Sequence, residues 1–219
     1  MPNHKTSPSA LIFYGGWDGH QPDLVAKFFA RKLETAGYQV SLSDSLEALD
    51  NADQLASFDL ISPTWTMGEL DPQRTKNLTE AVHAGSGLAG FHGGMGDAFR
   101  GNIDYEWMVG GHFVGHPHVG PYEVRRTPRE HPVTANLPES LTYESEQYYL
   151  MVDPDITVLA ETTYRYQDRD ILMPVVWVRH WGKGRVFYSA LGHQANEFTK
   201  YPAVAQMTLD GMIWATRGL

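Results

Sequence analysis

Short apolar runs alternate with amphipathic stretches through the first half of the chain. Leu11-Ile12-Phe13-Tyr14, closed by Gly15-Gly16, has the pattern of a buried strand. Pro22 opens a helical stretch in which Leu24, Val25, Phe28, Phe29 and Leu33 share one face and Gly37 is the stop. Residues 38–42 predict a second strand and 46–58 a second helix. Asp59-Leu60-Ile61-Ser62 predicts a third strand, broken at Pro63. Asp71-Pro72 opens a third helix over 73–84 with Leu78, Ala81 and Val82 inward, and residues 87–91 form a fourth strand. Strands joined by helices of this length predict a parallel sheet with right-handed crossovers.

The second half changes character. Residues 119–126, 142–151 and 157–164 read as extended, and 175–180 with 185–191 as a hairpin around Trp181-Gly182-Lys183-Gly184. A last helix over 201–216 carries Val204, Met207, Gly211 and Trp214 on one stripe. No repeat or linker divides the chain. The expectation is one α/β domain over residues 1–219, its parallel sheet extended by antiparallel strands, with residues 1–9 as a flexible tail. Charge narrows the partners: 17 Lys and Arg against 26 Asp and Glu give a net charge of −9. Nucleic acid and anionic membrane both reward a basic face, so neither is expected. With no cysteine, disulfides, thiolate metal sites and a Cys nucleophile are excluded. The N-terminal apolar run is too short for a signal-peptide core or a membrane span, so a cytoplasmic protein is expected. Frequent Trp, Met and Tyr leave room for a homo-oligomer interface.

In open parallel sheets, ligands sit beyond the carboxyl ends of the strands. Those ends carry Gly15-Gly16-Trp17-Asp18-Gly19-His20, Pro63-Thr64-Trp65-Thr66, Phe91-His92-Gly93-Gly94 and Gly192-His193. Gly85-Ser86-Gly87-Leu88-Ala89-Gly90 spells the dinucleotide pattern but follows a helix and enters a strand, the reverse of what the pyrophosphate needs. Gly90-Phe91-His92-Gly93-Gly94 instead leaves a strand, turns sharply, and leads toward a helical stretch around 97–100. This is the layout of a nucleophile elbow with histidine in the nucleophile position. Without Ser there, acyl-enzyme chemistry is not expected.

Three histidines fall within seven positions in Gly110-Gly111-His112-Phe113-Val114-Gly115-His116-Pro117-His118, a density that suggests metal binding. His112 is the better functional choice. It lies in a Gly-rich loop, whereas His116 and His118 would share one face of a strand; beside Pro117, these two are equally well read as loop residues bonded to backbone carbonyls. Glu144 and Glu146 point the same way from a Tyr-rich strand, and paired carboxylates can divide acid and base roles. His4, His83, His131 and His180 read as solvent or packing residues.

The chain resembles the trehalose-utilisation (ThuA-like) family of the class I glutamine amidotransferase-like superfamily. The resemblance runs through Gly90-Phe91-His92-Gly93-Gly94, Trp107-Met108-Val109-Gly110-Gly111-His112-Phe113, His131-Pro132-Val133 and Glu146-Gln147-Tyr148. It continues from Pro174-Val175-Val176-Trp177 to Ser189-Ala190-Leu191-Gly192-His193. It implies a flavodoxin-like three-layer fold and an association with disaccharide and keto-sugar catabolism. Amidotransferases of the superfamily use an elbow Cys and a late His-x-Glu pair. Here the elbow is His92 and Gln194-Ala195 follow His193, so glutaminase activity is not expected.

Together these readings predict a carbohydrate-processing site built from His20, His92, His112, Glu146 and His193. Metal ligands are expected among His20, His92, His112 and His193, with zinc the first choice of divalent metal. His92, Glu146 and His193 are the expected catalytic groups. Trp17 and Trp65 would face the sugar ring, with Asp18, Gly93, Gly94 and Gln147 contacting substrate. Two other readings stay open: a non-catalytic sugar-binding or partner subunit, and a metal-free acid–base enzyme using His92, Glu146 and His193 directly.

Overall fold

The computed structural model describes residues 7–219. In chain order its first half contains β1 (Ser9–Gly16), α1 (Pro22–Thr35), β2 (Gln39–Ser43), α2 (Ala52–Ser57), β3 (Leu60–Thr66), α3 (Pro72–Ala84) and β4 (Gly87–Phe91). Two short helices follow, α4 (His92–Gly96) and α5 (Ile103–Val109). Then come β5 (Gly111–Arg126), β6 (Ser140–Val152), β7 (Thr157–Tyr166), β8 (Arg169–Trp181) and β9 (Gly184–Ser189), closed by α6 (Ala195–Lys200) and α7 (Pro202–Ala215).

All nine strands form one sheet in the order β2-β1-β3-β4-β9-β8-β7-β5-β6. The first five are mutually parallel, and the last four continue the sheet by antiparallel pairing. This is the expected α/β architecture, a flavodoxin-like strand order with an antiparallel extension. No helix among the described residues is long and apolar enough to cross a membrane.

The differences from the sequence reading have local causes. Along α1 the buried stripe is Pro22, Val25, Ala26, Phe29, Ala30 and Leu33, so Leu24 falls on the solvent side of the 3.6-residue period. The predicted helix over 46–58 is divided. Ser45 caps a single 3₁₀ turn, Leu46–Leu49, and extended Asn51 caps α2 by accepting the Gln54 N–H. Pro63 does not end β3. The ladder to β4 stops at Ile61↔Leu88, leaving that edge of β3 without demand for the missing N–H. The helix after the elbow starts at His92 itself rather than near residue 97, and α5 and α6 were not anticipated. Residues 1–6 of the expected tail, His4 among them, lie outside the described residues. At the other end of that tail Ser9 already belongs to β1, and the Pro8 carbonyl accepts the Gln39 N–H.

The largest correction is β5. It begins at Gly111 and takes in His112, which reads as part of a Gly-rich loop, together with His116 and His118. Its ladder with β6 runs from Gly111↔Val152 to Arg125↔Ser140, with register shifts between Phe113 and Gly115 and again between Gly115 and His118. Its ladder with β7 covers only Val124–Arg126. Most of the β5–β6 ribbon is therefore tied to the sheet at one end, free to bend toward α4, which β5 touches. Below the rim, Phe29, Phe91 and Phe198 lock together with ring centroids 4.8–5.1 Å apart. They clamp α1 and α6 against the end of β4 and fix the residue that precedes His92.

Candidate functional site

Three turns at the carboxyl ends of parallel strands deliver three imidazoles. His20 comes from the turn after β1, His92 from the first residue after β4, and His193 from the turn after β9. Glu146 arrives from the middle of β6 at the sheet's far edge. One ligand atom from each of these four residues lies within 4.8 Å of all the others. His92 takes a left-handed backbone conformation (φ 44°), the strained turn an elbow requires. Tyr188 donates its hydroxyl to the His92 carbonyl at 3.1 Å and helps hold that turn. Gly93 is glycine for a steric reason: a Cβ there would meet His20 Cε1 at 2.2 Å. At Gly94 the same atom would press on the Thr64 backbone at 3.1 Å. Both glycines are buried, and their missing side chains make room for the site.

Hydrogen bonds set the ring orientations. His92 Nδ1 lies 2.9 Å from the Ala190 carbonyl, which can only accept, so Nδ1 carries the proton and donates it. Nε2 of the same ring faces Glu146 Oε2 at 3.3 Å. That contact takes either a proton on Nε2 or a cation held between the two atoms. His193 Nδ1 is 3.1 Å from the same oxygen. The angle is not that of a hydrogen bond, and this buried nitrogen has no other partner among the described residues. His20 Nδ1 shares a 2.7 Å hydrogen bond with Thr66 Oγ1. Tyr148 stacks on His92 with centroids 4.0 Å apart.

Electrostatics follow from this crowding. Burial, and then the nearby His92 and His193, push His20 down to about 3, so it is a neutral ring at ordinary pH. Burial alone would raise Glu146, but the His193 and His92 imidazoles outweigh it and hold its carboxyl well below the usual range. Burial likewise opposes the charged form of His193, and the Glu146 carboxylate overcomes it and raises His193. The donor set of three imidazoles and one carboxylate is one that zinc and related divalent metals accept. Adjacent ligands of a tetrahedral zinc lie about 3.3 Å apart given bonds of about 2.0–2.1 Å, close to the 3.1 and 3.3 Å measured around Glu146 Oε2. The orphaned His193 nitrogen, and His92 Nε2 facing Glu146 Oε2, fit such an ion.

Two expected residues are elsewhere. His112 is not a member of the cluster. It pairs with Met151, five residues along β6 from Glu146 or roughly 16 Å of strand, and its Nδ1 sits 3.4 Å from Glu106 Oε2. Gln147, next to Glu146 in a strand, faces the opposite way. It is buried, donating to Thr162 Oγ1 at 2.8 Å and to the Thr163 carbonyl at 3.2 Å, and it holds β6 to β7. Glu144 shares the face of Glu146 but is exposed and paired with Lys200 at 2.8 Å, so the two carboxylates do not work as a pair. Trp17 remains at the rim, 46% exposed, with its ring edge on His20 at 4.8 Å. Asp18 is exposed on the same turn. Trp65 is half-buried against Gly15 and Gly68.

Other residues gain their place only from the structure, among them His116 and His118, whose roles the sequence leaves open. His116 brings Nε2 to 3.6 Å from Glu146 Oε1, from within the second register shift of β5, between Gly115 and His118. His118 Nε2 lies 3.3 Å from the Pro121 carbonyl. Thr66, Tyr148 and the Ala190 carbonyl support the rings. Thr66 ends a strand at the rim, a signal that could have marked it, whereas a backbone carbonyl leaves no trace in a sequence.

The family model described as "ThuA: Trehalose utilisation" matches residues 9–215. Among solved structures, the chain is similar to a putative ThuA-like protein from Bacteroides uniformis ATCC 8492, with a TM-score of 0.77 and 21% identity, covering 98% of this chain and 95% of that one. A putative ThuA-like protein from Parabacteroides merdae ATCC 43184 matches with a TM-score of 0.75 and 14% identity, over 97% and 92% of the two chains. A cytoplasmic protein from Salmonella typhimurium LT2 matches with a TM-score of 0.70 and 13% identity, over 95% and 100%. No curated protein matches by sequence.

Proposed function

This chain belongs to the ThuA family, and on that footing we propose that it is a carbohydrate-processing enzyme acting on a sugar, disaccharide or 3-keto-sugar at the His20–His92–Glu146–His193 cluster. The observation that carries the reading is the convergence of three imidazoles and a carboxylate, from four separate elements, within 4.8 Å. A binding module needs aromatic faces and hydrogen bonds but has little use for such a group. His20, His92 and His193, with Glu146, would hold a divalent metal, zinc first. Such an ion supplies a Lewis acid and lowers the pKa of a water bound to it.

The chain's own residues divide the remaining work. His92 presents Nε2 because the Ala190 carbonyl holds its Nδ1–H. Burial keeps His20 neutral and able to offer a lone pair. Glu146 is either a ligand or the group that takes a proton from a sugar hydroxyl or water, since its Oε1 looks toward His116 and away from the imidazole pair. Trp17 offers an apolar face beside His20, Trp65 a second, and Asp18 a carboxylate for sugar hydroxyls. A cytoplasmic setting belongs to the same reading.

The test is the metal content of untagged protein, with His92→Ala and His193→Ala beside it. Near one equivalent in the parent, lost in either variant, supports the reading and directs substrate screening to keto-sugars with that metal. No metal after reconstitution overturns it. Chelator-insensitive turnover would then indicate acid–base catalysis by His92, Glu146 and His193, and sugar binding without turnover would indicate a non-catalytic subunit.

A further inference from the structure

Glu197 is outside the four-residue cluster, yet it is bonded to both of the elements that supply the Glu146–His193 pair. It lies on α6, four residues after His193. Its Oε2 accepts the backbone N–H of His193 at 3.0 Å and also the Tyr143 hydroxyl. Its Oε1 accepts the Ser145 hydroxyl at 2.8 Å. The Tyr143 oxygen in turn accepts the Gly192 N–H at 3.0 Å. Tyr143 and Ser145 are neighbours of Glu146 on β6, and Gly192 and His193 form the turn after β9.

That turn depends on outside support. Gly192 takes a left-handed conformation (φ 101°), and a Cβ on it would meet Phe198 Cζ at 2.3 Å. The strand it must be joined to, β6, is the far edge of the sheet, four strands from β9. No backbone ladder connects the two. The link is made by side chains, through charge-assisted hydrogen bonds to a single carboxylate.

We propose that Glu197 is the positioning residue of the site: it fixes the distance between the Glu146 carboxylate and the His193 ring, and so sets how tightly the cluster holds a divalent cation. This rests on the metal-site reading above. Groups one bond removed from the ligands commonly govern metal affinity by about 10–100-fold. The carboxylate acts here by geometry. Its oxygens gather three donors that belong to two distant segments.

The test is competitive zinc titration of the full-length protein against a chromophoric chelator, using the parent, Glu197→Ala, Glu197→Gln and Leu55→Ala. Leu55 is buried in α2, which packs on α3 outside the site. Glu197→Ala is expected to weaken zinc binding by about 10–100-fold. Glu197→Gln should recover to within about threefold of the parent. Its carbonyl can still accept from His193 and Tyr143 while its amide donates to Ser145 Oγ. Leu55→Ala should lower thermal stability and leave zinc affinity unchanged. If Glu197→Ala fails to fold, Tyr143→Phe carries the test, with an expected loss of roughly five- to tenfold.

Parent-like affinity in Glu197→Ala, or in Tyr143→Phe where that variant carries the test, overturns the inference and leaves the metal site standing. So does a Glu197→Gln as weak as Glu197→Ala, because charge and not geometry would then be at work. A Leu55→Ala loss equal to that of Glu197→Ala overturns it as well, by tracing the effect to general stability. A parent protein that takes up no zinc overturns the metal-site reading and this inference together.

Discussion

The two halves of the sheet build the site by different means. In the parallel half, β1, β4 and β9 each end at the same rim, and a turn of one to four residues suffices to present His20, His92 or His193 there. The placement follows from topology, because parallel strands share a carboxyl edge. In the antiparallel half the contributing residue lies inside a strand. Glu146 reaches the rim only because the β5–β6 ribbon is paired to β7 over three residues and bends away beyond them. A parallel sheet thus aims side chains by where its strands stop. The antiparallel extension aims one by how its ribbon curves, and it needs ties such as Gln147 and Glu197 to hold that curve.

The comparison can be tested most severely in the parallel half. Phe29→Ala removes the ring that locks Phe91 and Phe198, and a cost of about 3–5 kcal/mol is expected for an aromatic so buried. Urea unfolding measures it. A loss below about 1 kcal/mol would mean that the turn before His92 is held elsewhere. Gly93→Ala should fold but displace the His20 ring, since the added carbon would sit 2.2 Å from Cε1. Zinc affinity is expected to fall at least about tenfold, as when a ligand's support is lost, and calorimetric titration reads it directly.

Gln147→Leu addresses the other half. It leaves Thr162 without its donor and frees β6 from β7. About 1–3 kcal/mol of stability should go, with a smaller drop in zinc affinity than for Gly93→Ala. If the order is reversed, the ribbon and not the rim dominates the geometry.

The pH dependence of the metal-free protein separates the halves further. His20 is held down to about 3 from an ordinary 6.5, so the unfolded chain binds a proton that the folded one refuses. Stability must therefore fall as pH drops from about 6.5 toward 3, and His20→Gln should flatten that limb. The raised His193 works in the opposite sense: its contribution is complete below 6.5 and disappears as pH rises through its folded value. The lowered Glu146 contributes above its ordinary range and is lost as pH falls. Chemical denaturation from pH 4 to 8 shows both limbs. The smallest effect is expected for His112→Ala, half-exposed beside Glu106, which should leave metal content at the parent level.

The alternation of apolar runs and helices determined the parallel core, because burial on both faces of a strand writes a continuous apolar run into the sequence. The glycines around His92 marked the elbow, and the strand ends marked His20 and His193, since these depend on a few adjacent residues. Tertiary structure alone decided the rest. The run from Gly110 to His118 is glycine-rich, its one strand signal is the shared face of His116 and His118, and pairing with β6 extends the strand back to Gly111. That pairing set His112 aside and brought His116 toward Glu146. It also turned Gln147 inward as a tie between strands. The Ala190 carbonyl that orients His92 and the Glu197 carboxylate that joins β6 to the turn after β9 act across 52 to 98 residues of chain, and local pattern carries no record of a partner so far away.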